Sequence, residues 1–263
     1  VFYAKDGVSR VQELQMLTQK GANTSVVGIS GNFDDAQSGV KKIFGDKEFA
    51  KELAGRGYQL SSANSINIGR LVPQVVYYVY AYAKLLENGE IENGEKINVT
   101  VPTGNFGNIL AAYFAKQMGV PIDKLICASN DNKVLYDFFK TGVYDKNRPF
   151  ILTSSPSMDI LISSNLERLI YLSTGCDAEE TKNRLQALST DGKYSVTDAL
   201  RARMAHFVAG YADPPANAAE IQRLYAETGY MLATHTGVAS CVYHHSVQET
   251  GDTTHTVIAS TAS

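Results

Sequence analysis

A segment near the middle of the chain, PTGNFGN at residues 102–108, places two glycines and three polar side chains directly after an apolar run. Residues 97–101 have the β-branched and apolar composition of a short buried strand. Pro102 ends its hydrogen-bond ladder because proline has no N–H to donate. From Ile109 onward the apolar residues recur with the period of a helix. The sequence therefore predicts a strand, a glycine loop and a helix N-terminus in direct succession.

This strand–loop–helix unit is a candidate anion site. The N–H groups of the loop and of the first helical turn converge, and a helix N-terminus carries about half a positive charge. Gly104 and Gly107 lack a Cβ, so the backbone can approach an anion closely. The G-x-x-G spacing matches neither the dinucleotide fingerprint nor the Walker A loop. Phosphate binding and an ordinary β–α turn that binds nothing are both compatible with it.

A second polar segment, residues 61–70, contains five small hydroxyl or amide side chains and Arg70. It precedes residues 71–86, which are apolar almost all round and predict a helix buried on most sides, with Pro73 in its first turn. Hydroxyls, amides and an arginine at the entrance to such a helix suit an anionic ligand with several oxygens. Helix capping and turn hydrogen bonds are the alternative explanation.

Length and composition describe an ordinary globular protein. The chain has 263 residues, of which 44% are hydrophobic and 19% charged, so it can form one large domain or two modest ones. A net charge of −3 does not favour nucleic acid or an anionic membrane as a partner. No apolar run reaches the roughly 20 residues of a membrane span. Three widely spaced cysteines indicate a reducing, cytoplasmic location and argue against a metal site.

Short apolar runs and helical periods alternate along the chain. Strands are predicted at residues 24–30, 97–101 and 124–129, and helices at 8–20, 133–140, 165–172, 196–207 and 216–227. This alternation predicts an α/β fold with a mostly parallel sheet and helices on both faces. The chain begins Val1-Phe2-Tyr3, and residues 256–263 look like a buried strand cut off at its tip. From these ends we expect an internal fragment of a longer protein.

Six motifs, taken in order along nearly the whole chain, resemble threonine synthase of the long bacterial and fungal type. They are Phe2-Tyr3 with Gln12-Glu13-Leu14-Gln15, Gly31-Asn32-Phe33-Asp34-Asp35-Ala36-Gln37, Ser62-Ala63-Asn64-Ser65-Ile66-Asn67 with Arg70, Pro102-Thr103-Gly104-Asn105-Phe106-Gly107-Asn108, Ser155-Pro156-Ser157-Met158-Asp159-Ile160 with Ser164-Asn165-Leu166-Glu167-Arg168, and Ser260-Thr261-Ala262. Six motifs in the family's order are stronger evidence than any one of them.

The resemblance implies a pyridoxal 5′-phosphate enzyme of the tryptophan-synthase-β class, which is the two-lobed fold type II, here lacking its N-terminal part. Residues 1–60 would belong to the smaller lobe, and residues 61–263 would form the large cofactor-binding lobe with a polar helical insertion at about 174–228. The implied reaction converts O-phosphohomoserine and water into threonine and phosphate, the last step of threonine biosynthesis. The implied partner is this small-molecule substrate, and the oligomeric state is left open.

The resemblance also assigns roles to individual residues. The cofactor phosphate would be held by the glycine loop, which comprises Thr103, Gly104, Asn105, Phe106, Gly107 and Asn108. Thr261 would face the pyridine nitrogen, and a neutral hydroxyl there leaves that nitrogen largely unprotonated. Ser65, Asn67 and Arg70 would contact the substrate, with the guanidinium fork of Arg70 matched to the substrate phosphate. Asn64 would lie near the 3-oxygen of the cofactor.

The sequence departs from the family in one respect that concerns catalysis. Pyridoxal-phosphate chemistry needs a lysine as Schiff base and proton shuttle, and in this family it precedes the Phe2-Tyr3 motif. None of the fifteen lysines in the chain matches its motif, so we expect no catalytic residue within residues 1–263. A serine or threonine dehydratase of the same fold is one alternative. A non-catalytic homologue or fragment that binds phosphorylated ligands is the other.

Overall fold

The computed structural model describes residues 2–5, 8, 10–31, 33–61 and 65–261. Its contacts divide the chain into two compact units, residues 1–63 and 64–263. Asn64, for which the resemblance implies a cofactor contact, lies outside the described residues. The glycine loop, Ser65, Asn67, Arg70 and Thr261 all belong to the second unit, which therefore holds the candidate site.

The described residues of the first unit form a parallel pair of strands and three helices. Strand β1 (Phe2–Ala4) pairs with β2 (Val27–Ile29), and the helices are α1 (Arg10–Leu17), α2 (Phe33–Gly45) and α3 (Lys47–Gly55). Helix α3 begins at Asp46, whose carboxylate accepts a hydrogen bond from the Phe49 N–H. The helix predicted at residues 8–20 and the strand predicted at 24–30 are present, and both are shorter than predicted.

The second unit contains a four-stranded parallel sheet in the order β7-β4-β3-β8. The strands of this sheet are β3 (Ile97–Pro102), β4 (Ile122–Ser129), β7 (Phe207–Tyr211) and β8 (Thr256–Ile258). A separate antiparallel pair is formed by β5 (Val143–Asp145) and β6 (Lys193–Ser195). The connecting helices are α4 (Ile68–Leu71), a 3-10 turn (Val72–Gln74), α5 (Val75–Glu87), α6 (Gly107–Gln117), α7 (Val134–Thr141), a 3-10 turn (Pro156–Met158), α8 (Leu166–Ser173), α9 (Ala178–Thr190), α10 (Asp198–Arg203), α11 (Pro214–Thr228) and α12 (Thr234–Thr250).

Both faces of the sheet are covered, and the alternation of side chains along β4 shows how. Leu125 and Cys127 join the core that includes residues of α6 and α7, whereas Ile126 and Ala128 pack with residues of α12. Because successive side chains of a strand point to opposite faces, a strand buried on both sides has a continuous apolar run. The predicted α/β fold, with a mostly parallel sheet and helices on both faces, is confirmed.

The segment that follows the polar residues 61–70 differs from its prediction. Residues 71–86 do not form one continuous helix, because Pro73 lies in a 3-10 turn between α4 and α5. Helix α5 buries only Val75, Tyr78 and Tyr82 among its described side chains. Val76 and Tyr80 are more than half exposed, at 63% and 61%. The prediction of a helix buried on most sides is therefore wrong for this chain.

The predicted polar insertion at about residues 174–228 also needs correction. The region contains α9, β6, α10 and α11, but it also supplies the edge strand β7 of the main sheet. Strand β7 pairs with β4 along its whole length, from Leu125 opposite Phe207 to Ser129 opposite Tyr211. The predicted helix at 196–207 ends earlier, at Arg203. The segment is therefore integrated into the sheet, because its short run FVAGY completes the parallel ladder.

Candidate anion-binding site

The glycine loop begins where β3 ends, and its first residue is tied into the sheet. The Thr103 N–H donates to the Ala128 carbonyl oxygen at 2.8 Å, and its hydroxyl donates to the Val101 carbonyl oxygen at 2.7 Å. Both donors of Thr103 are therefore used inside the strand pair. Thr103 fixes the start of the loop, so its predicted contact with an anion does not follow from the structure.

The next amides are open. Within the described part of the chain, no residue accepts a hydrogen bond from the N–H groups of Gly104, Asn105, Phe106, Asn108 and Ile109. The Gly107 N–H donates to the Asn105 side-chain oxygen at 3.2 Å. Phe106, the residue before α6, makes no side-chain cap. The first turn of α6 therefore presents the unsatisfied donors and partial positive charge that bind anions.

The carbonyl groups of the loop explain which way these amides point. The Gly104 carbonyl accepts from the Ser163 hydroxyl at 2.8 Å. The Asn105 carbonyl accepts from the Asn165 N–H at 3.0 Å and from its side-chain Nδ2 at 2.9 Å. In a trans peptide the C=O and the following N–H point in opposite directions. The Asn105 and Phe106 N–H groups are therefore directed away from the segment that precedes α8.

Phe106 has a backbone conformation that is rare for a residue with a side chain. Its φ is 68°, in the left-handed region. Its ring is 1% exposed and lies 5.5 Å from the Phe207 ring centroid and 6.0 Å from that of Phe139. This aromatic packing holds the unfavourable backbone angle in place. Such conformations concentrate at ligand-binding sites, where the surrounding structure fixes them.

The two glycines are required by neighbouring chain segments as well as by any ligand. A Cβ on Gly104 would lie 2.8 Å from the Ser157 carbonyl oxygen. A Cβ on Gly107 would lie 2.7 Å from the Ser65 Cβ. Ser65 is buried, and its hydroxyl oxygen accepts from Asn165 Nδ2 at 3.0 Å. The structure therefore brings Ser65, a predicted substrate residue, directly against the glycine loop.

The two other predicted substrate residues lie in α4. Asn67 is the N-cap of this helix, and its side-chain oxygen accepts from the Gly69 N–H at 2.9 Å. Arg70 is exposed, and its carbonyl oxygen accepts from Gln74 Nε2 at 2.7 Å. Helix capping, the alternative explanation for this polar segment, therefore applies to Asn67.

A cavity of about 550 Å³ at the carboxyl edge of the sheet, near β3 and β8, is lined in part by residues that were predicted to bind the cofactor. Its lining comprises Gln74, Tyr77, Tyr78, Ala81, Asn108, Val257, Ile258, Ala259, Ser260 and Thr261. Ligands of open parallel sheets bind at this edge. Asn108 and Thr261, both predicted to bind the cofactor, thus face one cavity, and Gln74 connects it to Arg70.

Tyr78 and His235 contribute to the site, and the sequence assigned neither of them a role in it. The Tyr78 hydroxyl donates to the Asn108 side-chain oxygen, and burial raises the Tyr78 pKa, so this donor stays protonated. The buried His235 accepts from the Ser157 N–H through Nε2 at 3.2 Å. Burial lowers the pKa of His235, which favours the neutral ring that this contact needs. His235 thereby fixes the segment that packs on Gly104.

Asn165 and Arg168 were likewise given no role by the sequence, although both lie in a recognised motif. Asn165 is fully buried and binds both Ser65 and Asn105. Arg168 donates to the carbonyl oxygens of Ser65 and Ile66 at 2.8 and 2.6 Å. These contacts join residues 60 to 103 positions apart. The sequence offered one signal for Asn165, its position as a polar residue at the start of a predicted helix, and that signal does not show which residues it contacts.

Other kinds of chemistry find little support in the described residues. Burial raises the pKa of Cys127 to about 12 and that of Cys241 to about 11, so neither thiol is a nucleophile near neutral pH. No group of three or more His, Cys, Asp or Glu side chains is gathered as metal ligands within the described ranges. In the same part of the chain, every helix is too short or too polar to cross a membrane.

The mostly parallel sheet with helices on both faces is the fold of fold type II pyridoxal-phosphate enzymes, as two solved structures show. The pyridoxal-phosphate-bound threonine synthase from Brucella melitensis matches 100% of this chain and 54% of its own, with TM-score 0.83 and 38% identity. Threonine synthase from yeast matches 99% of this chain and 52% of its own, with TM-score 0.84 and 35% identity.

Curated sequences agree with the structures. Saccharomyces cerevisiae threonine synthase is 36% identical over 266 residues, covering 96% of this chain and 50% of the yeast protein. Human threonine synthase-like 1 is 44% identical over 244 residues, covering 92% of this chain and 33% of the human protein. No protein-family model matches. The chain belongs to the threonine synthase family, as its motifs predict. It spans half of the length of the yeast protein and a third of the length of the human protein.

Proposed function

We propose that the protein is a threonine synthase, which converts O-phosphohomoserine and water into threonine and phosphate with pyridoxal 5′-phosphate as cofactor. The observation that carries this proposal is the row of open amides at the start of α6. A phosphate dianion satisfies several such donors at once and is stabilised by the helix N-terminus. Membership of the threonine synthase family supports the reaction type.

The described residues fit the cofactor. The Gly104, Asn105, Phe106 and Asn108 amides would hold its phosphate, while Gly107 keeps the first turn in place through Asn105. Thr261 would face the pyridine nitrogen from the same cavity that Asn108 lines. When bound, the cofactor supplies an electron sink that eases removal of protons from the substrate carbons. The Thr261 hydroxyl is neutral and would leave the ring nitrogen largely unprotonated.

The substrate would be held by the segment that precedes α5. Ser65 Oγ accepts from Asn165 and so keeps its own hydrogen for donation to the substrate. Asn67 contributes by starting the helix that carries Arg70, and by contact with the substrate. Arg70 would bind the substrate phosphate, because its planar fork matches two phosphate oxygens. A separate cation for this phosphate keeps it apart from the phosphate of the cofactor.

We propose that the Schiff-base lysine lies outside residues 1–263. None of the described residues that line the cavity is a lysine. Borohydride reduction of the intact protein, followed by peptide mapping, identifies the modified lysine. A modified lysine within this chain would contradict the proposal. We also propose a cytoplasmic location, because all three cysteines are free thiols.

The decisive experiment is an assay of the intact protein loaded with pyridoxal 5′-phosphate. We expect release of inorganic phosphate from O-phosphohomoserine, with threonine formed in equal amount. Ammonia release from threonine or serine, without phosphate release from O-phosphohomoserine, would instead show a dehydratase. Binding of the cofactor without either reaction would show a non-catalytic homologue.

A further inference from the structure

The start of α8 contacts both the glycine loop and residues 65–70, which we call the substrate segment because we propose that it holds the substrate. Asn165 Nδ2 donates to the Asn105 carbonyl oxygen at 2.9 Å and to Ser65 Oγ at 3.0 Å. Its side-chain oxygen accepts from the Arg168 guanidinium. Arg168 then donates to the carbonyl oxygens of Ser65 and Ile66. We call these two side chains, Asn165 and Arg168, the α8 clamp.

The chemistry of the α8 clamp is specific to its residue types. Asn165 is 0% exposed, and it uses both its amide donor and its carbonyl acceptor. The guanidinium presents several N–H groups in a fixed plane, and different nitrogens reach two successive carbonyls here. A lysine ammonium is a point charge and lacks this fork. The backbone turn at Ser65 and Ile66 is therefore shaped around one planar cation.

The α8 clamp acts on Arg70 through a short backbone path. Residue Asn67 follows the clamped pair and caps α4, in which Arg70 is the third residue. At the other end of this four-residue helix, Leu71 is completely buried. Arg70 is thus carried between two anchors, the α8 clamp before α4 and the core residue Leu71 at its end.

We propose that Asn165 and Arg168 are positioning residues that set the spacing between the two anion sites. This inference rests on the proposed function, in which the loop amides bind the cofactor phosphate and Arg70 binds the substrate phosphate. Two phosphate groups repel each other more strongly the closer they lie, so the two sites must be kept apart for both ligands to bind together. The α8 clamp fixes this separation by bonding Asn105 on one side and Ser65 with Ile66 on the other.

The first test uses the intact enzyme with Arg168→Lys, which keeps the charge and removes the fork. We expect KM for O-phosphohomoserine to rise about tenfold, equivalent to about 1.4 kcal/mol, with a smaller change in kcat. The affinity for pyridoxal 5′-phosphate should stay unchanged. Arg203→Lys is the matched control, because Arg203 donates to the Ser173 carbonyl oxygen at the opposite end of α8. The control should leave KM unchanged.

Asn165→Asp tests the other half of the α8 clamp. The aspartate keeps an acceptor for Arg168 but places an oxygen where Nδ2 donated to Ser65 and Asn105. We expect both the substrate KM and the dissociation constant of the cofactor to rise. If Arg168→Lys does not fold, this variant decides alone. Unchanged KM in every folded clamp variant would overturn the proposal.

A positioning role also predicts coupling to Arg70. In an Arg70→Ala background, Arg168→Lys should cause little further rise in KM, because the group that it positions is absent. Additive effects of the two substitutions would show that Arg168 affects substrate binding independently of Arg70, and would overturn the proposed path.

Hydrogen exchange separates this inference from the proposed function. In Arg168→Lys, the amides of residues 66–72 should exchange faster, while those of residues 109–117 in α6 should not change. The amides of residues 66–72 include the Arg70 N–H, which donates to the Asn67 carbonyl oxygen at 2.8 Å. Unchanged exchange at 66–72 would overturn the α8 clamp even in an active enzyme. Faster exchange in a protein that releases no phosphate would refute the function and leave the α8 clamp standing.

Discussion

The two regions of the site that we propose to bind anions are built differently. The glycine loop lies between a buried strand and a buried helix, and its carbonyls are bonded by residues 163 and 165. The substrate segment continues into α4, a helix of four residues in which Ile68 is 52% exposed and Arg70 is exposed. The loop is thus held by the strand and the helix on either side of it as well as by residues 163 and 165, whereas the substrate segment depends mainly on contacts from the start of α8. A cofactor needs a permanent site, and a substrate needs one that admits and releases it.

The largest expected effect comes from Gly104→Ala. The added Cβ would lie 2.8 Å from the Ser157 carbonyl oxygen and 3.2 Å from the Met158 Cα, and both are backbone atoms. We expect cofactor affinity to fall at least about tenfold and the free energy of unfolding to fall by about 1–3 kcal/mol, as in overpacked cores. Cofactor titration by absorbance and thermal unfolding measure these changes.

Gly39→Ala is the matched control for this substitution. Gly39 is in the middle of α2, and a Cβ there would have no described atom within 4 Å apart from its chain neighbours and the backbone of its own helix. Alanine there should be neutral or stabilise the helix by up to about 1 kcal/mol. Normal cofactor binding by Gly104→Ala would show that the loop is less rigid than the comparison states.

Arg70→Ala tests the more open of the two regions. Loss of a charged partner for the substrate phosphate should raise KM about 10- to 100-fold, in line with about 1.5–3 kcal/mol for charged hydrogen bonds. Because Arg70 is exposed, thermal stability should change little. Steady-state phosphate release measures KM, and cofactor titration should show unchanged affinity. An unchanged KM would remove Arg70 from the site.

The two regions should also differ in their response to acid. The pKa of His235 is lowered by burial, so its neutral form is favoured in the folded state. The unfolded state then binds more protons, and the stability that depends on neutral His235 is present above about pH 6.5 and is lost as the pH falls. A protonated Nε2 cannot accept from the Ser157 N–H, so the support of Gly104 weakens.

Arg168 contacts two backbone carbonyls and the side-chain amide oxygen of Asn165, none of which titrates. We therefore expect cofactor affinity to weaken below about pH 6 more than amide protection at residues 66–72 does. His235→Gln, which offers an acceptor without titration, should flatten this pH dependence. The same acid sensitivity in His235→Gln would assign it to another group.

The smallest effect is expected far from both regions, at the amino ends of the strands. Asp252 accepts from Lys124 at 2.5 Å and from Asn98 at 3.1 Å, and the Lys124 contact holds the pKa of Asp252 well below its usual value. This stabilisation is present above the ordinary aspartate pKa and is lost as the pH falls through the lowered one. Because the pair is partly exposed, Asp252→Asn should cost about 0.5–1 kcal/mol at neutral pH, measured by urea unfolding. A change in KM or cofactor affinity would link this edge to the site.

The sequence predicted much of the glycine loop and less of its surroundings. Strand β3, the turn and α6 follow from local features, namely an apolar run, a proline, two glycines and a helical period. The sequence did not predict the edge strand β7, because a run of only five residues is too short for its pattern to distinguish a strand from the end of a helix. The sequence did not predict the exposure of Val76 and Tyr80 in α5. Hydrophobicity indicates that a side chain favours burial, but it does not show whether another element packs over that side chain.

The amino-acid sequence by itself determined the α/β fold, the family and the place of the glycine turn that we propose to bind an anion, because these depend on residues that are near each other in the chain. Only the tertiary structure decided that Thr103 is an anchor, that Ser65 lies against Gly107, and that Arg168 binds Ser65 and Ile66. These contacts join residues that are 25 to 103 positions apart in the chain. Their partners are set by how the helices pack on the sheet, and no local pattern encodes that packing.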